Sequence, residues 1–389
     1  MRKSLMALAF GTFGLGVSEF VMMGILPLLA KDFGVSIPTA GHLISSYALG
    51  VCVGAPLIVL VARAWRLKRI LLFLMGIYTL AALAMALAPN YHVMLVMRFL
   101  AGMPHGAYFG VGAIVADRLS REGKSTFAVA IMCSGMTVAN LIGIPLGTML
   151  ASVFSWRMIF GFSFLWGILI LLSIMRWIPE LAPLQSTKVR DQFRFLKHPA
   201  PWLLIAATLL GNGGVFCWYS YITPLLTNVS GIASQYISFM MVLAGAGMVA
   251  GNLLGGKLSD KFGPGHTGRG IEITIFVTLL LIFFVAHCSF LSVVLMVVAT
   301  ACLFGVSSPQ QILLLRYSKG GELMGGAMVQ LAFNLGNALG AYCGGLPVES
   351  GMGYEWTALV GACFAFVGII CYFLFCARYE KRKAISRTH

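Results

Sequence analysis

The chain has 389 residues, 59% of them hydrophobic and 10% charged, with a formal net charge of +15. A water-soluble domain carries about a quarter charged residues, so this composition excludes an ordinary soluble protein and makes lipid the solvent of most of the surface. The basic excess raises nucleic acid as a partner, but the basic residues sit in short segments between apolar runs, which excludes that reading.

The apolar runs predict twelve spanning helices, at 5–30, 41–62, 70–88, 93–116, 125–152, 157–178, 201–228, 235–256, 271–288, 291–315, 325–348 and 355–377. Each is near the roughly 20 residues needed to cross the hydrocarbon. Met1-Arg-Lys leads into an apolar segment too long for a signal peptide, so the first span is expected to be retained. Twelve spans put both termini on one side. That side carries Arg2/Lys3, Arg63/Arg66/Lys68/Arg69, Arg118/Arg121/Lys124, the 176–197 stretch, Lys257/Lys261/Arg269, Arg316/Lys319 and the C-terminal tail. Of the 27 Lys and Arg, only Lys31, Arg98 and Arg157 lie elsewhere. Both termini are therefore expected in the cytoplasm. The nine cysteines, among them Cys52, Cys133, Cys217, Cys302, Cys343 and Cys371, are scattered singly with no metal spacing. They read as small packing residues, and no metal or cofactor is expected.

Shifting the chain by 197 residues superimposes special positions. Pro27 falls on Pro224, Gly50 and Gly54 on Gly247 and Gly251, and Asn140, Gly143 and Gly147 on Asn337, Gly340 and Gly344. The register predicts two parallel six-helix halves, 1–178 and 201–377, with a cytoplasmic linker at 179–200 and a cytoplasmic tail at 378–389. Gly50-x-x-x-Gly54 and Gly247-x-x-x-Gly251 are small-xxx-small patterns that let helix backbones approach closely.

Several local motifs carry more. Gly255-Gly256-Lys-Leu-Ser-Asp260-Lys261-Phe-Gly263 resembles the GxLSDxxG loop motif of the major facilitator superfamily. Glycine permits the tight turn, and Asp260 is placed to accept bonds from a helix N-terminus or to pair with a cytoplasmic arginine. In the first half Arg63 stands where the acid would be, so the two loops are not expected to gate equally. Arg98-Phe-Leu-Ala-Gly102-Met-Pro-His105-Gly106 resembles the RxxxGxxxG motif of the same superfamily. Gly135-Met-Thr-Val-Ala-Asn140-Leu-Ile-Gly143-Ile-Pro145-Leu-Gly147 resembles its Gly/Pro-rich antiporter motif. Gly14-Leu-Gly-Val-Ser-Glu19-Phe20, Met103–Gly112, Phe154-Ser-Trp-Arg157, His198-Pro-Ala-Pro-Trp202 and Gly320-Gly-Glu-Leu323 narrow the resemblance. They look like the AraJ-type branch of bacterial sugar-efflux and drug:proton antiporters, along nearly the whole chain. The resemblance implies an all-α major facilitator fold of twelve transmembrane helices in a bacterial inner membrane, and proton-coupled export.

Ionisable residues inside spans are costly and are functional candidates on physical grounds. Glu19 reads as the one acid well inside a span, with Glu272 at a span entrance. At 1.5 Å per residue, Glu19 lies about 16 Å and His105 about 18 Å from the outer ends of spans 1 and 4. Arg98 and His105, seven apart, share a helical face. An acid, an imidazole and a guanidinium at one depth make a proton-coupling site, because burial disfavours the charged form of an acid and a nearby cation favours it. A fixed buried ion pair is the bland alternative.

For a substrate, Gln330, Asn334 and Asn337 form a stripe on span 11. Asn212 and Tyr219 share a face on span 7, with Trp218 and Tyr221 near, and Gln310 lies on span 10. Amides and flat aromatics suit hydroxyl-rich ligands and amphipathic drugs alike; interhelical hydrogen bonding competes for the same residues. No Walker loop, GxSxG or metal cluster appears, so an enzyme or ATP-driven pump is not expected, and the two-half repeat disfavours a passive channel. The reading is a monomeric transporter in the bilayer that exchanges protons for a small molecule, a sugar or related metabolite, or else an amphipathic drug.

Overall fold

The structure, a computed structural model, describes residues 2–35, 37–62, 64–183 and 189–380. Arg63, part of the linker and the end of the tail lie outside the described residues. Helices follow in chain order: α1 Arg2–Phe33, α2 Ile37–Ala62, α3 Leu67–Ala86, α4 Tyr91–Arg118, α5 Ser125–Val138, α6 Ile144–Val153, α7 Trp156–Trp177, the short α8 Val189–Gln192, α9 Pro199–Tyr219, the single turn α10 Ile222–Pro224, α11 Ile237–Phe262, α12 Pro264–Val285, α13 Ser289–Gly305, α14 Ser307–Tyr317, α15 Glu322–Glu349 and α16 Trp356–Phe375. Among the described residues there is no strand.

Among the described residues, eleven helical stretches are long and apolar enough to cross a membrane. The twelfth expected span corresponds to α15, which has the length, 28 residues. Its amide stripe of Gln330, Asn334 and Asn337 dilutes its hydropathy. Large apolar side chains face outward along several helices, including Leu80, Leu165, Phe284 and Phe290. In water such a surface would be an aggregation hazard; in lipid it is the ordinary exterior.

The chain forms two compact units. One holds α1 to α4, residues 131–138 of α5, α6 to α8 and Lys319–Leu331. The other holds Glu122–Ala130, Phe195–Ser318 and the stretch from Ala332 onward. In the first unit α2 packs on α4, α3 on α7, and α1 on α6 and α7. Val21, Met22, Ile25, Tyr47, Val51 and Phe160 lie in its core. In the second unit α11 packs on α13, and α16 on α9 and α12.

Glycine sets these approaches. A β-carbon at Gly50 would strike the Phe99 carbonyl oxygen, and one at Gly54 the backbone of Met103. On the facing helix, a β-carbon at Gly102 would meet the Tyr47 carbonyl. In the second unit Gly247 faces the Val297 carbonyl and Gly251 that of Ala301. The same small-xxx-small pattern thus brings α2 against α4 and α11 against α13. Gly251→Val is expected to force α11 from α13 and to sharply lower the yield of monodisperse protein on size exclusion. Gly270→Val, whose β-carbon meets nothing within 4 Å, is expected to leave the yield unchanged; equal yields would show that the close approach is dispensable.

Where α1, α3 and α7 end together, Arg157 donates to Asp32 Oδ2 at 2.8 Å and to the Ala88 carbonyl at 3.2 Å. Trp156 Nε1 donates to the same Asp32 oxygen at 3.0 Å. The Arg157 bond first, and the Trp156 bond second, hold the Asp32 carboxyl below its ordinary range. The link therefore persists at neutral pH and is lost only as pH falls through that lowered value.

Candidate functional site

Glu19, His105 and Arg98 come together in the first unit. Glu19 Oε2 lies 3.8 Å from His105 Nε2, and the two side chains are 13% and 1% exposed. Neither atom has a hydrogen-bond partner. The other ring nitrogen, His105 Nδ1, is 2.9 Å from the Tyr47 hydroxyl, which reaches the Leu15 carbonyl at 3.5 Å. Arg98 lies over the Tyr47 ring, 4.4 Å from its centre. Its guanidinium donates to the Ser18 carbonyl at 2.6 Å and the Leu43 carbonyl at 3.1 Å, while Nη2 has no partner. Phe109 stacks on His105 with ring centres 5.1 Å apart.

Local sequence explains the placement. Arg98 and His105 are two turns apart on α4, and a β-carbon at Gly106 would crowd Ala55 of α2, so α4 sits close enough for Tyr47 of α2 to reach both. The arrangement can hold a proton between a carboxyl and an imidazole. When the Tyr47 hydroxyl donates to Leu15 it accepts Nδ1–H, leaving Nε2 an acceptor for a protonated Glu19. When it donates to Nδ1, Nε2–H faces a carboxylate. Tyr47 carried no sequence signal: it is an aromatic residue in an apolar run.

A second constellation joins α11 to the start of α5. Asp260 accepts from the backbone N–H of Thr126 and of Phe127, each at 2.9 Å. These are among the free amides of the first turn of α5, where a carboxylate is favoured by both bonding and the helix dipole. Two turns earlier Asn252 donates to the Ala130 carbonyl at 2.7 Å and accepts from Ser308 at 3.2 Å. Between them Gly256 leaves no room for a side chain against Ala130. Of the two partners open for Asp260, the structure has the helix N-terminus. Asn252 was legible in principle, as an amide two turns from Asp260 on one face of an apolar helix. Gly255 packs on the Gly305 carbonyl, Lys261 lies over the Phe262 ring, and Gly263, at φ 89°, makes the turn into α12 that other residues rarely adopt.

The Gly/Pro-rich segment departs from α-helical geometry. A π-helical turn spans Ala139–Gly143 between α5 and α6. Pro145 lacks the N–H that would bond Leu141 and crowds that turn, which widens instead. Gly135 meets the Ala9 carbonyl, while Gly143 and Gly147 receive Val17 and Val21 of α1. Asn140 bonds back to the Met136 carbonyl at 3.2 Å, within its own helix.

The substrate candidates divide. Asn212 and Gln310 are buried, and none of their amide atoms has a partner. Trp218 is 1% exposed with its Nε1 unpartnered, and tilts against Tyr219. The Tyr221 hydroxyl is spent on the Ala341 carbonyl at 3.0 Å. Gln330 belongs to the first unit, Asn334 and Asn337 to the second.

The reading of Glu272 as an entrance residue is overturned. It is 0% exposed, because α12 starts at Pro264 rather than at 271. The polar run Pro264-Gly-His-Thr-Gly-Arg269 is helix, and Glu272 lies two turns inside. Glu19 is therefore not the only interior acid.

A model of the Major Facilitator Superfamily matches residues 8–329. Over 384 residues the chain is 45% identical to the protein named "Putative transporter AraJ" of Escherichia coli (strain K12), covering 99% of this chain and 97% of that one. It is 37% identical over 384 residues to the inner membrane transport protein YdhP of the same strain, covering 99% and 98%. It is 31% identical over 265 residues to the chloramphenicol resistance protein of Streptomyces lividans, covering 67% and 68%. The fold is similar to the crystal structure of the Escherichia coli fucose:proton symporter FucP, with a TM-score of 0.77 over 95% of this chain and 98% of that one at 15% identity.

Proposed function

We propose, from the premise that this chain belongs to the Major Facilitator Superfamily, that it exports a small polar molecule, a sugar or related metabolite, in exchange for protons. Its relatives and fold neighbours are transporters and not enzymes, and it is a multi-pass membrane protein.

The Glu19–His105 pair carries this reading. A carboxyl and an imidazole 3.8 Å apart, the imidazole buried and the carboxyl 13% exposed, each with a free atom, and with a guanidinium on the shared Tyr47 ring, can bind or release a proton when hydration changes. A fixed structural pair would be expected to close its bonds. Tyr47 holds the ring in place and Arg98 supports the carboxylate. The relative named for chloramphenicol resistance and the likeness of the Gly/Pro-rich segment to the antiporter motif favour export over import. Asp260 at the start of α5 serves as the latch: its two bonds must break before that end of α5 can part from α11. The halves 1–178 and 201–377 are the bodies whose alternation carries the cargo, in a monomer.

A second cargo class, amphipathic drugs, is favoured by the same resistance relative and by the aromatic pair Trp218 and Tyr219. An uptake panel in proteoliposomes, testing monosaccharides, nucleosides, cationic dyes and chloramphenicol with and without an imposed pH gradient, separates them. Gradient-dependent movement of a sugar is expected. Movement of drugs alone would replace the cargo, and movement indifferent to the gradient would remove the coupling.

Orientation follows from the basic residues. A C-terminal alkaline phosphatase fusion is expected to be inactive and a fluorescent protein fusion bright, placing that terminus in the cytoplasm. The reverse pattern would invert the topology.

A further inference from the structure

A fully buried carboxyl stands apart from the Glu19 cluster. Both oxygens of Glu272 on α12 lack hydrogen-bond partners. So do both amide atoms of Gln310 on α14, both of Asn212 on α9, and the Tyr372 hydroxyl on α16. Each of these side chains is at most 1% exposed. Burying one such group unpaired is costly; four in one unit are not accidental packing.

Glycines from three helices make the space. A β-carbon at Gly211 would strike the Glu272 carboxyl, and one at Gly368 would lie 3.5 Å from Glu272 Oε2. One at Gly268 would lie 2.6 Å from the Tyr372 hydroxyl.

The sister half shows that the fold does not require the polar groups. By the 197-residue register, Glu272 corresponds to Met75, Asn212 to Leu15 and Gln310 to Ala113. All three are buried. The same positions are thus filled by apolar side chains where no acid is present, so the carboxyl is there for another reason.

The groups facing Glu272 are neutral. Tyr372 and Cys371 lie near it on α16 and Cys302 on α13. On α9 Asn212 follows Gly211, whose β-carbon would strike the Glu272 carboxyl, and on α14 Gln310 neighbours Tyr372. Lys257 and Lys261 of α11 are exposed, and Glu380 reaches only the first turn of α12, at the Gly265 N–H. Among the described residues no Lys, Arg or His pairs with Glu272. A carboxylate so placed would be a bare charge, so in this arrangement the group carries its proton.

We propose that Glu272 is a second proton-binding group of this transporter, in a polar pocket built from Gln310, Tyr372 and Asn212. The Gln310 amide and the Tyr372 hydroxyl supply donors to the carboxylate once its proton leaves. The inference rests on the proton-coupled reading above.

The test is a pH titration of the full chain, reconstituted in phosphatidylethanolamine and phosphatidylglycerol vesicles and read by infrared difference spectroscopy in the carboxyl stretch region. Two interior carboxyl bands that appear and vanish with pH are expected, one removed by Glu272→Gln and the other by Glu19→Gln. Tyr372→Phe is expected to move the midpoint of the first band alone. Glu272→Asp, which keeps a carboxyl, shifts that band and serves if Glu272→Gln does not fold. A Glu272 band present unchanged at every pH, or a midpoint indifferent to Tyr372→Phe, would overturn the proposal. Either result leaves the Glu19 band, and with it the reading of that site, to be judged separately.

Discussion

Glu19→Gln is expected to abolish accumulation against a gradient while substrate still binds. For one-for-one exchange of a proton and a neutral cargo, a pH gradient of one unit supports about tenfold accumulation, because one unit is about 1.4 kcal/mol. With glutamine the ratio should fall to about one. The amide keeps the shape and can still face His105 Nε2, but it cannot titrate. Binding of the same cargo, measured by tryptophan fluorescence, should stay within a few-fold of wild type. His105→Gln removes the imidazole and is expected to weaken coupling without removing the acid. If Glu19→Gln accumulates cargo at near the wild-type ratio, Glu19 is a packing residue and the coupling acid lies elsewhere, with Glu272 the next candidate.

Asp260→Asn is expected to open the latch. The carboxylate accepts two backbone N–H bonds at 2.9 Å and adds a charge at a helix N-terminus. Asparagine retains one acceptor oxygen and no charge. A lost charge-assisted bond is worth about 1.5–3 kcal/mol, so the population should move by roughly ten- to hundredfold toward the form in which α5 and α11 part. The readout is maleimide labelling of Thr126→Cys in a cysteine-free background. Thr126 is 1% exposed, and its latch contact is made by the backbone, so the substitution leaves that bond in place. Labelling should accelerate about tenfold or more with Asp260→Asn. An unchanged rate would show that the Asp260 bonds do not hold α5 and α11 together.

The helices were legible because lipid imposes a demand that sequence must meet with uninterrupted apolar runs. The glycine approaches were legible for a related reason, since small residues four apart have few uses other than close packing. The Glu19–His105–Arg98 convergence followed from depth and helical face alone. Tyr47 was not legible, since its value lies in reaching a residue of another helix, a fact of packing and not of spacing. Glu272 was misplaced by a boundary: glycine, proline and charged residues read as a loop, yet Gly263 makes the turn by itself and the helix begins at once. The partner of Asp260 was half legible. Its capping chemistry follows from the side chain, whereas the choice of α5 depends on which helix end arrives there.

The central claim, exchange of cargo against protons, is tested most directly by the direction in which protons move. Wild-type protein is reconstituted with a pH-sensitive dye trapped inside, with equal pH across the membrane and the voltage clamped by potassium and valinomycin. The cargo identified in the uptake panel is then added outside. Exchange predicts that the interior turns alkaline as cargo enters and protons leave, and that Glu19→Gln abolishes the change. An interior that turns acid would make the protein a symporter, and an interior that does not change while cargo enters would make it a uniporter; either result contradicts the account.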